Sequence, residues 1–320
     1  MFLSRNFCYH WESFGHRTNH RRLMIRFPAP SFSTLPIVVV LTLAAASLSP
    51  AADNAGDEGE VIPLWKDGAP GFEDRKDEPE VIEKGSIVNI HYPTLTAFRP
   101  PADRANGVAI VIAPGGGLRK LGFRGGGVEP ARFLASHGFT TFVLKYRLSR
   151  QPGLLYKFEE HVLQDGQRAI RVVRHRAEEF AIDPAKVGML GFSAGGEVVS
   201  ITCYKPGDGN PDASDPVDRL HAKPDFQMLV YPGPVGIPSR LPDDTPPAFM
   251  LIAADDAHTS VLLNLMHRFR EIGVDYEAHI YARGGHGFGM GHRSQRVSIR
   301  NWPDRMLDWL ADEIVNPAPK

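Results

Sequence analysis

Ser193 stands in Gly191-Phe192-Ser193-Ala194-Gly195, where the apolar run Val187–Leu190 meets Gly196-Glu197-Val198-Val199-Ser200. That order reads as strand, tight turn and helix. A serine between two glycines at such a junction is held on a strained turn. Its oxygen is then exposed above the sheet edge, where it can act as a nucleophile. The glycines permit the sharp turn and let helix and strand approach closely. Alone, the pattern also fits an ordinary turn serine or a helix N-cap. The readings separate on whether the other groups of a nucleophilic hydrolase follow.

A serine nucleophile needs a base. Tyr276-Glu277-Ala278-His279-Ile280-Tyr281 alternates and is rich in β-formers. Gly284-Gly285-His286-Gly287-Phe288-Gly289 comes next. A histidine with glycines on both sides is poorly explained as a packing residue, so His286 is the expected base. Metal ligation by His286 and His292 competes with that reading. The pair lacks a helical i, i+4 spacing, and no Cys or acidic ligand pattern joins it, so no metal is expected. His292 reads as a loop residue and His279 as a structural strand residue. The acid that orients the base is expected after the preceding strand. Ala248–Ala253 is that strand, and it runs into Ala254-Asp255-Asp256-Ala257. A carboxylate here would hold the imidazole tautomer and stabilise its charged form. Spacing does not choose between the two aspartates. Asp256 is favoured because it stands later in the loop, past the strand end. Asp255 is then left to hydrogen-bond loop backbone, a common task for Asp in turns.

Acyl transfer also builds negative charge on a carbonyl oxygen, which backbone N–H groups can stabilise. The apolar run Val108–Ala113 ends in Pro114-Gly115-Gly116-Gly117. Three glycines let the backbone come close to a substrate oxygen. The expected donors are the N–H of Ala194 and those of Gly116 and Gly117. A flexible loop or a phosphate-binding turn is the plain alternative. The phosphate reading lacks the Lys-Ser/Thr pair of a P-loop. Gly125-Gly126-Gly127 reads as flexibility near the site.

Positioning these groups takes a frame of strands and helices. Buried strands are expected at Val108–Ala113, Thr140–Tyr146, Val187–Leu190, Phe226–Tyr231, Ala248–Ala253 and Tyr276–Tyr281. Ser86–Ile90 and Thr94–Phe98 read as opening strands separated by Pro93, and Asp53–Glu60 as a polar linker. Helical patterns lie between them. Glu129–Ser136 stops at His137-Gly138, Phe158–Phe180 is long and amphipathic, Thr259–Ile272 stops at Gly273, and a last helix starts near Pro303. Strands alternating with helices predict an α/β fold with a mostly parallel twisted sheet covered on both faces. Lys205–Pro216 reads as a solvated loop, since its aspartates do not match a calcium loop. Asp165 and Arg168 open a helix and are expected to pair locally or cap it.

With 320 residues and 42% hydrophobic content, the chain can bury a full core. The first 51 residues hold five Arg and one acid. Beyond them 31 basic and 36 acidic residues remain, a net of −5. A mildly acidic chain gives no reason to expect nucleic acid as a partner. Residues 1–52 read as a signal segment: arginines, then the apolar Leu35–Leu48, then small residues. The apolar stretch is short for a membrane span, so no stable membrane partner is expected. Met24 as the start would give a signal of ordinary length. Export to the periplasm or outside the cell is the expectation, with residues 53–320 as the catalytic domain. Of the two cysteines, Cys8 falls in that segment, and Cys203 reads as a small buried hydrophobe.

Most of the chain beyond the signal segment resembles an α/β-hydrolase of the esterase/lipase group. It is similar more narrowly to acetyl-xylan-esterase-like, xylan-associated secreted bacterial enzymes. The residues that carry the likeness include Ile62-Pro63-Leu64-Trp65 with Gly68-Ala69-Pro70-Gly71, and Pro114–Gly117. They continue through Val143–Leu148, Asp165–Ile170, Gly191–Gly196, Tyr231-Pro232, Asp255-Asp256 and Gly284–Gly289. The order Ser, Asp, His along the chain is the order of that superfamily. In the narrower family the second aspartate of the Asp-Asp pair supplies the acid and is followed by proline. Here Ala257 follows it. Many relatives carry His where this chain has Glu197, a change that touches the substrate wall or a helix contact. The resemblance implies a serine esterase acting on small-molecule or polysaccharide esters, with acetyl groups on xylan as its substrate and no cofactor. A serine peptidase of the prolyl-oligopeptidase type would require a propeller-sized region that is not seen. A dienelactone-hydrolase-like enzyme would require Cys at position 193. A non-catalytic carbohydrate-binding protein on the same fold is the rival of a different class.

Overall fold

Val111, Met189 and Leu229 sit at the centre of a sheet with no exposed surface, and the apolar runs around them account for most of its strands. The computed structural model describes residues 59–205 and 207–317. The expected signal segment 1–52, the start at Met24 and Cys8 lie outside the described residues.

The strands are β1 Glu60–Pro63, β2 Val81–Glu83, β3 Ser86–Val88, β4 Thr94–Phe98, β5 Ala109–Ala113, β6 Thr140–Lys145, β7 Val187–Phe192, β8 Gln227–Val230, β9 Ala248–Ala253 and β10 Tyr276–Tyr281. Eight of them form one sheet in the order β1-β4-β6-β5-β7-β8-β9-β10. β4 is antiparallel to both its neighbours, and every other pairing is parallel. The sheet is therefore mostly parallel, as expected for strands joined by helices. This is the α/β-hydrolase fold.

The sequence reading misses β1 and β2 and misplaces β3. β1 lies at the end of what reads as a polar linker, yet it pairs with β4 at the sheet edge, Val61 opposite Thr96. β3, expected as an opening strand of the sheet, pairs only with β2, in a separate two-stranded ribbon. Asn89, at φ 60, ends it after Val88. Edge and ribbon strands bury one face or less, so their residues carry too little apolar pattern to be recognised.

The helices that matter here are α1 Glu129–Ser136, α2 Leu163–His175, α3 Ala194–Tyr204, α4 Thr259–Ile272, α5 Val297–Arg300 and α6 Trp302–Trp309. α2 is shorter than the Phe158–Phe180 pattern; a wider turn leads into it, and α-helix ends at His175. Alternation along the strands shows which face each helix covers. Thr141 donates to the Ala131 carbonyl of α1, whereas Phe142 turns to Phe180 beyond α2. Gln227 meets Tyr204 of α3, whereas Phe226 meets Trp309 of α6. Tyr276 meets Phe269 of α4, and Phe249 meets Trp309. So α1 and α6 cover one face and α2, α3 and α4 the other. This follows from right-handed crossovers that reverse direction between β5 and β6. The reversal opens a crevice at the carboxyl ends of β5 and β7, the usual place for a ligand in such sheets.

Two polar contacts depart from the expected local pairing. Asp165 does not pair with Arg168. It accepts from Arg147, at 2.7 and 3.0 Å from the guanidinium and 2.8 Å from the backbone N–H, with both side chains fully buried. Arg168 instead donates to Asp215, Asp218 and the Leu64 carbonyl. It thereby ties the Lys205–Pro216 region and the N-terminal segment to α2. Sequence neighbours one helical turn apart lose here to partners brought together by the fold.

Candidate active site

β7 is buried along its whole length and delivers Ser193 at its carboxyl end. Ser193 holds φ 54 and ψ −120, a conformation that L-residues rarely adopt. Neighbouring backbone holds it there. Its N–H donates to the Val230 carbonyl at 3.0 Å, and its own carbonyl accepts from Gly196 at 2.8 Å. The flanking glycines are required by close approach. A Cβ on Gly195 would run into the Ala113 carbonyl, and one on Gly191 into the backbone of Gly195. Strand, serine and helix can therefore meet only with glycine at both positions.

His286 reaches Ser193 from the loop after β10. Its Nε2 lies 2.7 Å from Ser193 Oγ. Its Nδ1 lies 2.7 Å from Asp256 Oδ2. The carboxylate can only accept, so Nδ1 carries the proton and donates to it. Nε2 is then left as the acceptor of the serine hydroxyl. The Asp256 side chain is fully buried while the imidazole is 38% exposed, so the pair is anchored inside and open toward the crevice. The other Asp256 oxygen accepts from the His258 backbone N–H at 2.8 Å. Asp255 points elsewhere. Its Oδ1 accepts from both Gly284 and Gly285 N–H at 2.8 Å. The Gly285 N–H foremost, with that of Gly284, holds the Asp255 carboxyl below its ordinary range. The loop backbone it binds is chiefly that of the histidine loop.

Tyr231, at the carboxyl end of β8, belongs to the same site. Sequence reasoning noted it only as part of a resemblance. It holds φ 40. Its ring packs edge-on against His286, with centroids 5.0 Å apart, and against Phe288 at 4.6 Å. Its hydroxyl accepts from Gly289 N–H at 3.0 Å, while Trp302 Nε1 donates to the Gly289 carbonyl at 3.0 Å. Burial pushes the phenol up, so it stays protonated. The glycine-rich histidine loop is thereby held at Gly289 from both sides. An aromatic ending a parallel strand next to the serine strand was the available signal.

A cavity of about 880 Å³ opens over Ser193 and His286. Gly115 and Gly116 line it together with Phe192, Tyr231 and Phe288. Gly117 does not line it and is exposed. Gly116 has φ 141, and its carbonyl accepts from Lys120 N–H at 3.3 Å, which curls the loop. Of the two expected loop donors, Gly116 lines the cavity and Gly117 does not. Ala194 opens α3, so no carbonyl lies one turn before its N–H to accept it. Gly125 and Gly126 also line the cavity, and a Cβ at Gly127 would strike Val143. Close packing explains Gly127, whereas a Cβ at Gly125 or Gly126 would meet only ordinary contacts.

Other candidates fall away from the chemistry. Glu197 is buried below the serine turn. It accepts from Val235 N–H at 3.3 Å and lies 3.3 Å from Arg150, and burial raises its carboxyl. It makes a helix–loop contact and does not line the cavity. His279 pairs with Glu277, and Cys203 is buried. His292 stands at the cavity edge, 3.2 Å from Glu129. Among the described residues, no group of three or more His, Cys, Asp or Glu is arranged to hold a metal.

Residues 96–225 match the BD-FAE family model. The chain is 27% identical over 263 residues to an acetylxylan esterase of Xylanibacter ruminicola, covering 71% of this chain and 49% of that protein. It is 25% identical over 226 residues to endo-1,4-beta-xylanase B of Butyrivibrio fibrisolvens, covering 61% of this chain and 34% of that protein. The chain thus spans half or less of the length of these two relatives. An acetyl ester-xyloside bifunctional hydrolase from Caldicellulosiruptor lactoaceticus superposes with a TM-score of 0.65 and 27% identity, over 81% of this chain and 98% of that one. A thermophilic esterase from Thermogutta terrifontis matches in fold, with a TM-score of 0.61 and 18% identity over 82% and 97% of the two chains. From its strand order, its strand–serine–helix turn and these likenesses, the chain has the α/β-hydrolase fold and is similar to an acetylxylan esterase.

Proposed function

We propose that the protein hydrolyses carboxylic esters through a serine acyl-enzyme, with acetyl groups on xylan as its substrate. The observation that carries this reading is the pair of 2.7 Å contacts linking Ser193, His286 and the buried Asp256 at the cavity floor. Ser193 Oγ attacks the ester carbonyl carbon while its proton passes to His286 Nε2. Asp256 holds the ring in the tautomer that can accept that proton and stabilises the imidazolium that forms. The carbonyl oxygen becomes an oxyanion facing the N–H groups of Ala194 and Gly116, with Gly115 beside them. The C–O bond to the alcohol breaks, and His286 returns the proton to the departing oxygen. Water then repeats the sequence in reverse roles, releasing the acid and restoring Ser193.

The xylan part of the proposal is supported by the two relatives and by the Caldicellulosiruptor structure, whose names concern xylan or xylosides. Ser193→Ala is expected to lower turnover of p-nitrophenyl acetate by several orders of magnitude, as for loss of a triad member elsewhere. The same variant should lose covalent labelling by a fluorophosphonate. Turnover near that of the unaltered protein in Ser193→Ala would sink the mechanism. Folded, unaltered protein that takes no label would favour a non-catalytic carbohydrate-binding role.

A further inference from the structure

Four cations surround the mouth of the cavity that holds Ser193. Lys84, Lys120, Arg124 and Arg293 all line it and are all exposed. Among the described residues the side chains of these four make no hydrogen bond or ion pair with another protein group. The acid in the lining is Glu129, and it is paired with His292. This excess of positive charge runs against the chain as a whole, which carries a net of −5 beyond residue 51.

The cations are placed by structure rather than scattered. Glu83 and Ser86 are paired across β2 and β3, so Lys84-Gly85 is a two-residue turn. Both residues have positive φ, 49 and 79, the conformation of the tight hairpin turn that suits twisted strands. Glycine or asparagine would adopt that first position more easily than lysine. Ile87 of the same ribbon exchanges both backbone hydrogen bonds with Leu121, at 2.9 and 2.8 Å. Leu121 lies between Lys120 and Arg124, and the adjacent Gly122 N–H donates to the Gly115 carbonyl at 2.8 Å. The ribbon is thus tied to the loop that faces the oxyanion position. Arg293 comes from the segment after His286.

We propose that this site takes esters whose alcohol part carries a carboxylate, an acidic oligosaccharide bearing a uronic acid, and that Lys84, Lys120, Arg124 and Arg293 receive that carboxylate. The proposal rests on the esterase reading and narrows its substrate. An acetyl group occupies only a small part of about 880 Å³, so most of the cavity and its charged mouth face the alcohol. Cations around a concave site focus the field and raise the local concentration and on-rate of anions by about 10- to 10³-fold. Exposed charges act through solvent, so their effect must weaken as salt shortens the screening length to about 8 Å and below.

The test uses the full chain and matched substrates. One is an acetylated xylo-oligosaccharide carrying a glucuronic acid, and the other is its carboxyl-reduced, neutral counterpart. The ratio of kcat/KM, acidic over neutral, should be about tenfold at low salt and should fall several-fold as salt rises to about 0.3 M. Arg124→Gln with Arg293→Gln should bring the ratio near one. A ratio at or below one, or one that ignores both salt and the substitutions, overturns the proposal. A preference confined to p-nitrophenyl hemisuccinate over p-nitrophenyl acetate also overturns it, since the carboxylate would then belong to the acyl group. If no ester is hydrolysed, the esterase reading fails separately. Calorimetry of the unacetylated acidic and neutral oligosaccharides with Ser193→Ala protein still decides the charged mouth. Tighter binding of the acidic one, by about tenfold, upholds it, and equal binding overturns it.

Discussion

Replacing Asp256 by Asn separates the two adjacent aspartates more sharply than any other change. The Asp256 carboxylate accepts two N–H groups, from His286 Nδ1 on one oxygen and from the His258 backbone on the other. Asparagine has one acceptor oxygen and one NH₂. If its oxygen stays with the fixed backbone N–H of His258, its NH₂ faces Nδ1. The imidazole must then accept at Nδ1 and carry its proton on Nε2, the atom 2.7 Å from Ser193 Oγ. It can no longer take the serine proton. If the amide flips, its NH₂ meets the His258 N–H, and a buried donor loses its partner. The first arrangement removes the base; the second keeps the tautomer but leaves that donor unpaired, so the first is favoured. The expected loss is on the order of 10²- to 10⁴-fold in kcat, equivalent to about 3–5 kcal/mol of transition-state stabilisation. Asp255→Asn should behave differently, because one oxygen accepts both Gly284 and Gly285 N–H. Asparagine keeps that oxygen, so turnover should fall by less than about tenfold, with the main effect a lower thermal midpoint. Steady-state turnover of p-nitrophenyl acetate, normalised to fluorophosphonate-titrated sites, measures both. If Asp255→Asn costs more turnover than Asp256→Asn, the assignment of the acid is wrong, while the roles proposed for Ser193 and His286 remain.

Tyr231→Phe keeps the ring against His286 but removes the acceptor of the Gly289 N–H. Losing one such bond is worth about 1 kcal/mol, so kcat should fall about fivefold with little change in KM; a change in KM alone would show that the hydroxyl binds substrate instead. Arg147→Met leaves the Asp165 carboxylate buried at 0% exposure without its partner. Urea unfolding should show a loss of about 3–5 kcal/mol, and Arg147→Met with Asp165→Leu should recover much of it; no loss in the single variant would mean that the pair contributes nothing to the fold.

The serine, the histidine and the Asp-Asp pair were legible in the chain because the serine and the aspartates follow apolar runs that read as buried strands, and the histidine follows an alternating, β-rich run, which the structure leaves half-buried rather than buried. Val187–Leu190, Ala248–Ala253 and Tyr276–Tyr281 are local signals, and a parallel sheet places the residues after such strands at one edge. The choice between Asp255 and Asp256 could only be leaned on by position, because both stand past the strand end. It depends on the direction of two side chains relative to a loop 30 residues away, and there the structure turns Asp256 to His286 and Asp255 to Gly284 and Gly285. The loop donors depend on the same kind of distant geometry. Three consecutive glycines look alike in sequence, and only the curl at Gly116 separates the lining Gly115 and Gly116 from Gly117. The Arg147–Asp165 pair, the Tyr231 brace and the ribbon that carries Lys84 join segments far apart in the chain. Local periodicity records which face of an element is buried. It does not record which polar side chain from another element will meet it, and that was decided by the packing of β5, β7 and the helices around them.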